Sequence, residues 1–67
     1  MIDNKKIKEL RLIKGYKQSY VSLCTGIPQS TLSRFENGKL SPTLIELEKI
    51  LSCLDFTLIL NVGIGSL

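Results

Sequence analysis

Apolar positions recur along this chain at two different periods. From Asn4 to Lys14, Ile7, Leu10 and Ile13 return at near-helical spacing, and Gly15 supplies a stop. From Lys17 to Thr25, Tyr20, Val21 and Cys24 mark an inward face, ended by Gly26. Pro28 suits the first turn of a third helix, because the amide it lacks would be unpaired there anyway. That helix runs to about Phe35 or Glu36, before the turn signal Asn37-Gly38. Thr43 and Glu46 have the spacing of a capping box. After them Leu44, Leu47, Ile50, Leu51 and Leu54 trace the strongest amphipathic stripe in the chain. The period then changes: in FTLILNV, Phe56, Leu58, Leu60 and Val62 alternate with Thr57, Ile59 and Asn61. A period of two bounded by Asp55 and Gly63 predicts a strand, and its hydrogen-bonding partner must come from elsewhere.

The third helix is the odd one. Leu32 and Phe35 are its main apolar residues, and its outward face is Gln29, Ser30, Thr31, Ser33 and Arg34. A helix so poor in apolar surface is weakly held unless its polar face has a task. Segments two and three, joined through Thr25-Gly26-Ile27, have the outline of a helix-turn-helix, whose second helix enters the DNA major groove. There Gln pairs with adenine, Arg with guanine, and Ser or Thr with bases or phosphates. The plainer alternative is a solvent-exposed helix with no ligand.

Charge adds a direction. Of the 67 residues, 1–40 hold eight Lys or Arg against Asp3, Glu9 and Glu36, whereas 41–67 hold Lys49 against Glu46, Glu48 and Asp55. A basic front and a mildly acidic back suit a polyanion met from one side. For Lys5, Lys6 and Lys8 the simpler reading is a solvated face, and for Tyr16 and Tyr20 it is packing in the core or at its rim. At this length the chain forms one domain with little core, of a kind that usually needs a staple, a metal or a partner subunit.

Composition narrows the chemistry. There is no histidine, so the commonest general base and neutral metal ligand are missing. No nucleophile–base pair, metal cluster or Gly-rich phosphate loop stands out, and the expectation is a non-enzyme without cofactor or metal. Cys24 and Cys53 are too far apart for a C-x-x-C pair, and two buried, reduced thiols are expected. No leader and no membrane-length apolar run is visible, so a cytoplasmic protein is expected.

The segment KELRLIKGYKQSYVSLCTGIPQSTLSRFENGK, followed by SPTLIELEKILSCLD, resembles the Cro/CI-type (XRE) helix-turn-helix family of phage repressors, bacterial regulators and antitoxins. The resemblance covers residues 5 to about 55. It rests on Arg11 in helix one, Gln18 opening helix two, Gly26 in the turn, and then Ser-x-x-Phe-Glu-Asn-Gly-Lys. It implies an all-α, lambda-repressor-like domain of four or five helices over residues 4–55, with a C-terminal strand at 56–62. By it, Gln18 binds phosphate, and Gln29, Ser30 and Arg34 face base edges with Thr31 and Ser33 nearby. Asn37 and Lys39 grip the backbone beyond them. Arg11 and Glu36 match a family ion pair locking helix one to the end of helix three. The other reading of Arg11 is a basic residue reaching phosphate.

Departures from the family pattern fall at residues 19–22 and at Asp55. Ser-Tyr-Val-Ser follows Gln18 where acidic residues and a Leu-Ala pair are usual. Ser22 replaces an Ala at the helix contact, so its hydroxyl needs a partner. Asp55 stands where a Gly commonly ends the last helix.

The function implied is sequence-specific binding of double-stranded DNA by a bacterial or phage-encoded repressor. A homodimer would read a palindromic operator, with Phe56, Leu58, Leu60 and Val62 as its dimerisation face. A second reading is an antitoxin that neutralises a toxin protein and autoregulates its operon.

Overall fold

A computed structural model describes residues 4–56. Four helices follow one another: α1 (Asn4–Lys14), α2 (Gln18–Thr25), α3 (Gln29–Glu36) and α4 (Leu44–Cys53). Packing of α1 on α3, α2 on α3 and α2 on α4 encloses one core. Ile7, Val21, Ile27, Leu32, Phe35, Ile50, Cys53 and Leu54 form it, with Leu10, Tyr16, Leu47 and Phe56 packed around its margin. The described residues are all-α. Of the expected strand at 56–62, residues 57–62, with Leu58, Leu60 and Val62, lie outside them.

Local signals set the helix boundaries. Thr43 and Glu46 make the reciprocal capping box, with Glu46 N donating to Thr43 Oγ1 at 3.1 Å and Thr43 N to Glu46 Oε1 at 2.8 Å. Three helices end in the same way. After α1, α3 and α4, one residue takes a left-handed φ (75° at Gly15, 73° at Gly38, 63° at Asp55). The next amide then reaches back to a carbonyl five residues earlier: Tyr16 to Arg11, Lys39 to Arg34 and Phe56 to Leu51. This is the Schellman closure, which satisfies carbonyls left open at a helix end. Asp55 therefore fills a glycine-type position, and the chain turns there without one.

The periodicity misplaced several side chains. Ile13 and Tyr20 are exposed, Cys24 faces solvent although both thiols were expected inside, and Leu44 at the head of the α4 stripe is exposed. Both cysteines are free. In α1 the inward positions are taken by Ile7 and the charged Arg11, one turn apart. Phe56, read as the first residue of a pairing strand, packs against its own core with Lys14 Nζ 4.9 Å from the ring centroid.

Candidate nucleic-acid interface

The interface is built on α3, and its phase is fixed by what it buries. Leu32 and Phe35 are 1% exposed, and Glu36 is buried beside them. With those three residues turned inward, Gln29, Ser30 and Arg34 are exposed, and Thr31 and Ser33 are partly so. Beyond the helix, Asn37 and Lys39 are exposed as well. Asn37 Nδ2 donates to Ser33 Oγ at 3.3 Å, a contact that orders the amide at the end of the face. The polar α3 residues singled out by sequence thus all keep some exposure, while Leu32, Phe35 and Glu36 turn inward.

The α2–α3 turn holds that helix at its angle. Gly26 adopts φ 78°, a conformation costly for any residue with a Cβ. Thr25 Oγ1 donates to Val21 O at 2.7 Å and accepts from Ile27 N at 3.1 Å, tying both sides of the turn together. Ser22 finds the partner its hydroxyl requires, donating to Ile27 O at 2.6 Å. A serine is therefore accommodated where an alanine is usual, by a hydrogen bond to the turn.

Beneath the face lies a polar clamp joining three helices. Arg11 Nε and Nη2 donate to the two carboxylate oxygens of Glu36 at 2.7 and 2.9 Å, a bidentate pair. Arg11 Nη1 also donates to Tyr16 O at 2.8 Å, closing the end of α1. Arg11 is 9% exposed, which leaves its guanidinium committed inside and out of reach of a phosphate. Burial alone would raise the Glu36 carboxyl, but hydrogen bonds from Arg11 and Gln18, with the Arg11 charge, hold it below the usual range.

Gln18 is the position where the structure adds most to the sequence. Its Nε2 donates to Glu36 Oε1 at 3.0 Å, so the side chain belongs to the clamp. No pattern in the sequence signals that contact, because it depends on how the start of α2 meets the end of α3. Lys17, the N-cap of α2, offers no side-chain acceptor, so the amides of this first turn lack a cap. Such amides suit an anion.

A family model described as Helix-turn-helix matches residues 7–60. The chain belongs to that family. It is of the XRE type, and a DNA-binding transcriptional regulator. Among solved structures it is similar to the restriction-modification controller protein C.AhdI from Aeromonas hydrophila. The two superpose with a TM-score of 0.75 at 26% sequence identity, covering 79% of this chain and 80% of that one. No curated protein sequence matches the chain significantly. Among the described residues no helix is long and apolar enough to cross a membrane, and no group of His, Cys, Asp or Glu could hold a metal ion.

Proposed function

We propose that this regulator is a repressor that binds a palindromic operator as a homodimer. The observation that carries the reading is the outward face of α3, where Gln29, Ser30 and Arg34 are exposed above a wholly buried Leu32 and Phe35. Gln29 and Arg34 supply the bidentate groups that discriminate adenine and guanine in the major groove. Ser30, Thr31 and Ser33 add short donors and acceptors beside them. Asn37, Lys39 and the uncapped start of α2 grip phosphates on either side and set the register. The likeness to a controller protein supports regulation as the main task. Neutralising a toxin protein, the other reading of the sequence, gains no support from residues 4–56.

Selection of bound duplexes from a random pool tests the proposal. A consensus with two inverted half-sites is the expected outcome. Enrichment of a single unrepeated half-site would remove the palindrome and the dimer, and no enrichment at all would remove sequence-specific recognition.

A further inference from the structure

Away from the α3 face, two thiols line one cleft. Cys24, near the end of α2, is exposed, and Cys53, the last residue of α4, is buried. Both line one open cleft of about 420 Å³, together with Thr25, Glu48, Lys49 and Ser52. The cleft lies where α2 packs on α4, so the two thiols open onto the same space from facing helices. Burial first, and then the neighbouring Cys24 thiol, push the Cys53 thiol up to about 12. Cys53 thus stays protonated at neutral pH and is a poor first nucleophile. Cys24 has what its neighbour lacks: access to solvent through an open cleft. An accessible thiol beside a second, sheltered one is the arrangement of a reacting and a resolving cysteine.

We propose that Cys24 and Cys53 form a peroxide-reactive pair, in which Cys24 is oxidised first and Cys53 resolves it to a disulfide tying α2 to α4. The Cys24 thiolate attacks one oxygen of hydrogen peroxide, the O–O bond breaks, and hydroxide leaves. The resulting sulfenic acid is attacked by Cys53 sulfur. An S–S bond forms, the S–O bond breaks, and the departing hydroxide takes the Cys53 proton as water. Two thiols lose two electrons in all, and one peroxide is reduced to two waters. The bridge fixes the residue next to Thr25, whose hydroxyl organises the turn into α3. It also closes a long loop of the unfolded chain, which raises the melting temperature.

The test treats the full reduced chain with hydrogen peroxide and follows intact mass, alkylation and melting. The wild-type monomer is expected to lose two hydrogens, to resist iodoacetamide, and to melt on the order of 10 °C higher. Dithiothreitol should reverse all three. Cys53→Ser should stop at a sulfenic acid that dimedone captures, and Cys24→Ser should react far more slowly than wild type. Oxygen addition without a bridge in the wild-type chain, bridges formed only between chains, or a Cys24→Ser variant as reactive as wild type would each overturn the pair. None of these readouts uses DNA, so the result stands apart from the operator proposal.

Discussion

At Glu36 two physical effects oppose each other, and the hydrogen bonds win. Desolvation favours the neutral acid, yet two bonds from Arg11 and one from Gln18 hold the carboxylate. A carboxyl held below its unfolded value stabilises the fold fully above that value, roughly pH 4.3, and loses the contribution as pH falls through the lower folded value. Thermal melts should therefore weaken below about pH 4, and Glu36→Gln should flatten that acid limb. Glu36→Ala strands a guanidinium that is almost fully buried, and about 3–5 kcal/mol of stability should be lost in urea titration. A variant as stable as wild type would make the clamp dispensable. The exposed residues answer a different assay. Gln29→Ala and Arg34→Ala should each relax base preference at one operator position, by about 1–3 kcal/mol in competition binding. Lys39→Ala should instead weaken all duplexes alike and reduce the salt dependence of binding. An unchanged base preference in the first two variants would take the reading role away from α3.

Among the elements, α3 and α4 were the most legible, because a turn or cap brackets each and fixes its phase. Pro28 before α3 and Asn37-Gly38 after it leave Leu32 and Phe35 as the only apolar pair to bury, so its polar face follows. The Thr43–Glu46 box started α4 unambiguously. Helices α1 and α2 were harder: three apolar residues in a short segment cannot fix the phase. Arg11, a charge, holds an inward position, while Ile13, Tyr20 and Cys24 turn out. Hydrophobic pattern alone does not signal a charge buried by pairing; only the family resemblance pointed there. The helix ends carry a prediction of their own. Asp55 takes φ 63° at the negative end of α4, where a glycine would relieve backbone strain and remove an unfavourable charge. Asp55→Gly should stabilise the domain by about 0.5–1 kcal/mol in urea titration. The Asp55 charge is also the first cause of the raised Tyr16 hydroxyl, which burial reinforces. Tyrosinate absorbance in the same variant should accordingly appear at lower pH than in wild type. A less stable variant would mean that the Tyr16–Asp55 contact at 3.5 Å outweighs the strain.

For the molecule as a whole, the small core and the exposed apolar side chains argue in one direction. Leu12 and Ile13 on α1, Leu23 on α2, and Leu44 and Ile45 on α4 all remain exposed. A domain of this size gains from a partner surface. The homodimer proposed above would supply one and would set two copies of α3 about 34 Å apart, one helical turn of DNA, so that half-sites are read together. The alternating pattern of Leu58, Leu60 and Val62 nominates residues 57–62 as the pairing segment. Phe56 does not belong with them, because it seals the core and closes α4 through Leu51 O at 2.8 Å. The cut that isolates the question therefore falls after Phe56, since a cut before it would unseat a packed ring and confuse folding with assembly. The chain ending at Phe56 should keep its cooperative melt, sediment as a monomer, and lose most of its affinity for a two-half-site operator. Its affinity for one half-site should change little, because α3 and the Arg11–Glu36–Gln18 clamp stay whole. If that chain still sediments as a dimer, residues 57–62 are not the interface, and the exposed leucines and isoleucines of α1, α2 and α4 are where the two copies meet.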